Sequence, residues 1–128
     1  MEITVGIKGE AFTTVEREDT AYEVGSGSLL VYATPCMIAL MEGAACEALA
    51  PCLPEDKTSV GTQLTVSHIS ATPVGMEVRA EAEVIAVDKS IVTFKVSAYD
   101  EAGLIGEGTH QRAVITTQRF LDKTYGKL

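Results

Sequence analysis

The stretch TPCMIALMEGAACEALA, residues 34–50, decides the fold, because no other segment of the chain is typical of a long helix. Thr34 is suited to cap the first turn through its hydroxyl group. Pro35 fits the first helical position, where its missing N–H costs nothing, and Pro51 ends the run. These signals predict a helix of about four turns. Most of the remaining sequence has the composition of strands.

Glu42 is the unusual residue of this helix. At about 100° per residue it shares an apolar stripe with Ile38, Ala45 and Leu49, whereas Glu47 points elsewhere. A carboxylate on such a stripe is disfavoured unless it is paired or functional. The alternative is a side chain at the edge of the stripe that extends to water. Helix geometry alone does not separate these two interpretations.

The length and composition of the chain predict one folded domain over residues 1–128. With 128 residues and 46% hydrophobic content, the chain can bury a core without disulfides or metals. A net charge of −8 argues against nucleic acid or an anionic membrane as partner, since basic patches bind both. Three cysteines without a CxxC pair favour free thiols. Because neither a signal peptide nor an apolar run of about 18 residues is recognisable, we expect a cytoplasmic protein with no membrane span.

The pattern outside the helix predicts an antiparallel sheet. Residues 1–9 form an edge strand or arm, and residues 11–18 have strand composition. A Gly/Ser-rich loop covers residues 19–28, and four strand-like segments follow the helix, at residues 59–72, 76–84, 90–99 and 104–117. A change of parity at Ile85 indicates a bulge, and residues 100–103 form a hairpin turn. The tail from Arg119 has no defined state.

This order of elements predicts an α+β fold. One helix can cover only one face of a sheet, so we expect a long central helix packed against an antiparallel sheet of about five strands. The other face, or an edge, is then left for water or for a second copy of the chain.

Two polar residues could join Glu42 in a cleft. His68 has the parity of the apolar residues of its strand, and a lone histidine there would be a core residue bonded to a carbonyl. Beside Glu42, however, the two groups could share a proton. The primary role expected for Thr34 is to cap the helix. Its hydroxyl could also reach the same cleft from the helix N-terminus.

Further candidates lie on the strands. Gly61 interrupts a strand where a bulge or a close backbone approach is usual, and an exposed N–H there could polarise a carbonyl. Arg112 and His110 share a strand face that could receive phosphate or carboxylate, or could simply be solvated. Cys36 has no base at a recognisable spacing. Since two scattered histidines make no zinc signature and no nucleotide-binding loop is present, we expect neither metal nor separate cofactor.

The chain resembles the fluoroacetyl-CoA-specific thioesterase-like group of the hotdog-fold thioesterase family, from about Phe12 to Phe120. The resemblance rests on the motifs Thr34-x7-Glu42, Gly61-Thr62, Val66-x-His68, Ala71-Thr72-Pro73-x-Gly75 and Gly108-Thr109-His110-x-Arg112-Ala113-Val114-Ile115. It implies a hotdog fold and a homodimer, or a tetramer, formed through the sheet edge, with acyl-CoA sites at the dimer interface.

The same resemblance implies hydrolysis of a short, medium or aromatic acyl-CoA to the free acid and coenzyme A, which enters only as part of the substrate. Thr34 would orient Glu42 or the substrate, and Glu42 would attack the thioester carbonyl or activate water. His68 would act as general acid or base. The Gly61 N–H would hold the carbonyl oxygen, and Arg112 would line the substrate site.

One segment departs from the family pattern. In the fluoroacetyl-specific member, the residues before the catalytic threonine supply an aromatic gate, whereas the corresponding stretch here is Gly25-Ser26-Gly27-Ser28-Leu29. This difference favours another acyl group and a more open entrance. The alternatives to a thioesterase are a non-catalytic acyl-CoA or small-ligand binding module, an enoyl-CoA hydratase and a purely structural dimer.

Overall fold

The chain folds into one sheet and one long helix, with two shorter helices at the periphery. The structure is a computed structural model that describes residues 2–128. The elements in chain order are β1 (Lys8–Thr14), α1 (Ala21–Val24), α2 (Thr34–Leu49), β2 (Lys57–His68), β3 (Glu77–Asp88), β4 (Ile91–Asp100), β5 (Gly103–Thr116) and α3 (Thr117–Tyr125). Single 3-10 turns occur at Arg17–Asp19 and Ala50–Cys52.

The five strands form a single antiparallel sheet. Their spatial order is β1-β3-β4-β5-β2, so β1 and β2 are the two edges. Hairpins connect β3 to β4 and β4 to β5, and the second of these turns lies at residues 100–103, as predicted. The expected α+β arrangement of one long helix on about five antiparallel strands is confirmed.

Helix α2 lies across one face of the sheet, mainly over β1, β3 and β4. Its buried residues are Met37, Met41, Ala44, Ala45, Ala48 and Leu49. The facing side chains of β3 and β4 alternate regularly, and Phe94 is the largest that is fully buried. Burying each large apolar side chain stabilises the fold by about 1.5–3 kcal/mol. The alanines of α2 let β1 approach so closely that a Cβ at Gly9 would collide with backbone atoms of the helix.

Several element boundaries differ from the prediction. The N-cap of α2 is Ala33, so Thr34 is already helical and its side chain makes no capping hydrogen bond. β1 is one strand at Lys8–Thr14, whereas the sequence predicted an arm to residue 9 and a strand at 11–18. The tail, left without a defined state, forms α3. The bulge predicted near Ile85 is confirmed by a register shift between Val84 and Ala86.

A second bulge, in β2, reverses the side-chain alternation of that strand. The register between β2 and β5 shifts between Gly61 and Gln63. Paired residues of antiparallel strands share a face, so Gly61 lies on the helix side with its partner Arg112, and Leu64 lies there with His110. The prediction that the apolar residues of this strand, Val60 and Leu64 among them, keep one parity is therefore wrong, because it assumed an uninterrupted strand.

Helix α2 also has the length and composition of a membrane-crossing segment when the turn after it is included. Thr34–Cys52 spans 19 residues and meets that test, although the sequence had suggested no such run. In the fold, its apolar side packs against the sheet as the core helix, with Met37, Met41 and Leu49 fully buried.

Candidate active site

The site residues singled out in the sequence gather into two groups, one of which also includes Ser59. The first, called here the Glu42 cluster, consists of Glu42, Ser59, Gly61, His110 and Arg112. The second, called the Thr34–His68 pair, lies at the N-terminus of α2. Among residues 2–128, no hydrogen bond or ion pair joins the two groups.

The Glu42 cluster is built around the guanidinium group of Arg112. Arg112 Nη1 donates to Glu42 Oε2 at 3.0 Å. Its Nε donates to the Ser59 hydroxyl at 2.8 Å, and its Nη2 donates to the Ser59 carbonyl at 3.1 Å. The Arg112 side chain is 7% exposed, whereas that of Glu42 is 35% exposed. Glu42 therefore lies at the edge of the buried face of α2, and its carboxylate is paired rather than only solvated.

His110 completes the cluster from the neighbouring position on the same face of β5. Its Nδ1 lies 2.8 Å from the Gln63 carbonyl, so Nδ1 carries the proton and donates. Its Nε2 then accepts from Arg112 Nη1 at 3.1 Å and lies 3.8 Å from Glu42 Oε2. Burial lowers the pKa of His110, which favours this neutral form. The sequence grouped His110 with Arg112 as two residues that could receive phosphate or carboxylate or be solvated, but here His110 is a buried, neutral acceptor for Arg112.

Gly61 is the point at which β2 makes room for these side chains. A Cβ at this position would collide with Glu42 Oε2, and it would lie 3.3 Å from His110 Cε1 and 3.4 Å from Arg112 Nη1. Both reasons considered for a glycine in this strand apply, since the bulge begins here as well. Any side chain at residue 61 would displace the carboxylate.

The Thr34–His68 pair brings a hydroxyl group to an imidazole. Thr34 Oγ1 and His68 Nδ1 are 2.7 Å apart. Burial lowers the pKa of His68, so a neutral ring is available to accept a proton. The other ring nitrogen, Nε2, is buried and has no hydrogen-bond partner within residues 2–128. A buried polar atom of this kind is costly unless a further group binds it.

A cleft lies beside this pair. Its volume is about 270 Å³, and its lining residues are Ala21, Ser26, Val31, Tyr32, Thr34, His68, Ile69, Ser70 and Ala71. The Gly/Ser-rich loop after α1 thus borders the cleft, at the position expected for an entrance. Leu29 and Leu30, which follow this loop, are exposed.

The two groups are well separated within one chain. Thr34 and Glu42 are eight residues apart in α2, a distance of about 12 Å along the helix axis. Gly61 and His68 are seven residues apart in β2, or roughly 20 Å along the strand. The structure therefore joins Thr34 to His68 and Glu42 to Arg112 and Gly61, but it does not bring all five into one site in a single protomer.

One member of the Glu42 cluster was not predicted from the sequence, and one candidate nucleophile, a cysteine, remains to be placed. Ser59 was not singled out, because the bulge in β2 hides the fact that it shares a face with Arg112. Cys36 was considered as a thiol nucleophile in the first turn of α2. Burial, aided by the nearby Asp19, raises its pKa, which disfavours the reactive thiolate.

Comparison with known proteins identifies the family. A family model described as fluoroacetyl-CoA-specific thioesterase (FlK) matches residues 15–118. A curated fluoroacetyl-CoA thioesterase of Streptantibioticus cattleyicolor is 42% identical over 97 residues, which cover 76% of this chain and 70% of that protein.

Solved structures agree with this assignment. The structure of the fluoroacetyl-CoA thioesterase FlK superposes with a TM-score of 0.93 at 34% identity, covering 100% of this chain and 99% of that one. A thioesterase superfamily member from Thermus thermophilus matches with a TM-score of 0.85 at 27% identity, covering 99% and 98% of the two chains. The resemblance noted in the sequence is thereby confirmed: this chain has the hotdog fold and belongs to the fluoroacetyl-CoA-specific thioesterase family.

Proposed function

We propose that this protein is an acyl-CoA thioesterase that hydrolyses a short, medium or aromatic acyl-CoA thioester to the free acid and coenzyme A. Family membership supports the thioester hydrolase activity. Coenzyme A enters as part of the substrate, and the reaction uses no separate cofactor. We assign the enzyme to the cytoplasm, an assignment that its three free cysteines support.

The observation that carries the proposal is the division of the polar residues into two halves. The Glu42 cluster offers a paired carboxylate with one exposed side, and the Thr34–His68 pair offers a hydroxyl group and a neutral base. Each half contains part of a hydrolytic site, and neither is complete. A thioesterase needs both a group that attacks or activates water and a group that moves the proton.

A homodimer formed through β2 would complete the site. β2 is an edge strand with unpaired backbone groups, and a two-fold dimer can pair it antiparallel with its own copy. If the two-fold axis passes through Thr65, Leu64 lies opposite the partner's Val66. The extra residue of the bulge then brings Gly61 of one protomer opposite His68 of the other. The Glu42 cluster of one chain would then face the Thr34–His68 pair of its partner.

In such a site, Glu42 attacks the thioester carbonyl or activates a water molecule. His68 acts as general acid or base, and Thr34 orients the substrate or the carboxylate. The Gly61 backbone N–H stabilises the developing negative charge on the carbonyl oxygen. Arg112 lines the site and holds the Glu42 carboxylate by a hydrogen bond of 3.0 Å from Nη1 to Oε2.

The segment Gly25–Leu29 makes fluoroacetyl-CoA a poor candidate for the preferred substrate. It carries glycines and serines where the fluoroacetyl-specific member has an aromatic gate. Small side chains leave more room at the cleft entrance, which suits a larger acyl group. We therefore expect branched, medium-chain and phenylacetyl thioesters to be better substrates.

The test is the release of free coenzyme A from a panel of acetyl, branched, medium-chain, phenylacetyl and fluoroacetyl thioesters, with correction for the protein's own thiols. Glu42→Gln should abolish turnover. Glu47→Gln is the matched control, because Glu47 lies on the exposed side of the same helix and its amide oxygen can still accept from Glu10 N. Binding without release would favour the binding module, and water addition with an intact thioester would favour the hydratase.

A further inference from the structure

We propose that His110 is a positioning residue that fixes the Arg112 guanidinium against Oε2 of Glu42, so that Oε1 alone is presented to the substrate. The proposal rests on the thioesterase function proposed above. Within residues 2–128, Oε1 makes no hydrogen bond, whereas Oε2 accepts from Arg112. The carboxylate would thus have one oxygen held by the protein and one free for chemistry.

His110 is itself held rigidly, which is what a positioning residue requires. Its side chain is fully buried, with Nδ1 anchored on the Gln63 carbonyl at 2.8 Å. Its ring stacks on Phe94 with the centroids 6.1 Å apart and the planes 28° from parallel. The direction of the Nε2 lone pair is therefore determined by two contacts that involve neither Arg112 nor Glu42.

That lone pair completes the set of acceptors that holds the Arg112 guanidinium in place. Ser59 holds Nε and Nη2 through its hydroxyl and its carbonyl, but neither bond gives an acceptor to the two protons of Nη1. Arg112 Nη1 donates one proton to His110 Nε2 at 3.1 Å and the other to Glu42 Oε2 at 3.0 Å. Without this acceptor, a buried guanidinium N–H would lack a partner, and the group would rotate to find one.

The position of His110 is also suited to this role rather than to proton transfer. Its Nε2 faces Arg112 and lies 3.8 Å from Glu42 Oε2, beyond the usual range of a hydrogen bond. Both ring nitrogens are occupied, and the side chain has no access to solvent or substrate. His110 therefore acts on the reaction only through Arg112.

Two amide substitutions separate the positioning role from a general structural one. In His110→Gln, the amide oxygen can occupy the place of Nε2 and accept from Arg112. In His110→Asn, the shorter side chain can reach only the Gln63 carbonyl. Both variants replace a buried imidazole by an amide, so a purely structural role predicts similar losses of activity and stability.

We expect kcat for the best thioester of the panel to fall at least about tenfold in His110→Asn, since misplacing a catalytic group by about 1 Å can cost up to about 100-fold. His110→Gln should recover most of this loss, and KM should stay nearly unchanged in both variants. Equal kcat values for the two variants, or a loss confined to KM, would overturn the proposal.

A second measurement does not depend on activity. The thermal midpoint is compared for His110→Asn, Glu42→Gln and the double variant. If His110 acts on Glu42 through Arg112, the shifts are not additive; additive shifts would contradict the coupling. Failure of the proposed function itself is distinguishable, because the wild-type protein would then release no coenzyme A while the midpoints still report the coupling.

Discussion

At the scale of single residues, the candidate site contains two histidines whose pKa is lowered by burial. His68 offers Nδ1 to the Thr34 hydroxyl, and His110 offers Nε2 to Arg112. Burial is the main cause of the lowered pKa of each ring, and at His110 the charge of Arg112 adds to it. The lowered pKa of each ring is thus a property of the packed fold and is absent from the unfolded chain.

This difference predicts that acid destabilises the fold. Each histidine has a lower pKa in the folded than in the unfolded state, where it is about 6.5, so the unfolded chain binds more protons below neutral pH. The associated stability is fully present above about pH 6.5 and is lost as the pH falls through the folded pKa values. Unfolding by urea at a series of pH values above about 5, where most carboxylates stay ionised, measures this slope.

The matched variants are His68→Asn and His110→Asn. Each should reduce the loss of unfolding free energy between neutral pH and about pH 5, because one buried titrating group is removed. A slope identical to that of the wild-type protein in both variants would show that the histidines do not cause the acid sensitivity.

The sequence singled out most residues of the candidate site but not how they are partnered. Glu42 stood out because a carboxylate interrupts an apolar stripe, and Arg112 and His110 stood out by their shared parity. The pairing of Glu42 with Arg112 was not predicted, because it joins residues 70 positions apart in the chain. Ser59 was missed because the register shift after Gly61 changes which face of β2 it occupies.

At the scale of elements, the packing of α2 on β1 limits the side chains that the interface tolerates. A Cβ at Gly9 would strike the carbonyl oxygen of Ala44 and approach the Ala48 nitrogen, and neither backbone atom can move without displacing the helix. This glycine also explains a boundary error: the sequence interpretation ended an arm at residue 9, whereas the strand continues through it.

We predict that Gly9→Ala lowers the free energy of unfolding by about 1–3 kcal/mol, the usual cost of overpacking. The control is Gly43→Ala, on the exposed side of α2, where the nearest atom to an added Cβ is the Ala11 methyl carbon at 3.8 Å. That substitution should stabilise the protein by about 1 kcal/mol, because alanine favours helix over glycine. Chemical denaturation measures both effects, and a stable Gly9→Ala protein would contradict the close packing.

The type of each main element was predictable, and the exceptions have physical causes. Alternation of apolar residues identified the strands, and the apolar run between Pro35 and Pro51 identified α2. Helix α3 was not predicted because it is only nine residues long, has no side-chain cap and buries none of its residues. Such a helix leaves little of the sequence signal that burial and capping provide.

At the scale of the whole molecule, the proposed two-fold pairing of β2 predicts that two inactive variants restore activity when they are mixed. In a heterodimer of Glu42→Gln and His68→Asn chains, one site contains both substitutions. The other contains Glu42 from the second chain and His68 from the first, so it is intact.

The two purified variants are mixed in equal amounts under conditions that allow subunit exchange, and coenzyme A release is compared with each variant alone. Random pairing makes half of the dimers mixed, with one intact site of two, so about one quarter of the wild-type activity should return. Mixing Glu42→Gln with Glu42→Gln,His68→Asn is the control, because neither chain then supplies a carboxylate. If the site lies within a single protomer, no mixture recovers activity, and the pairing of Glu42 with the partner's His68 is excluded.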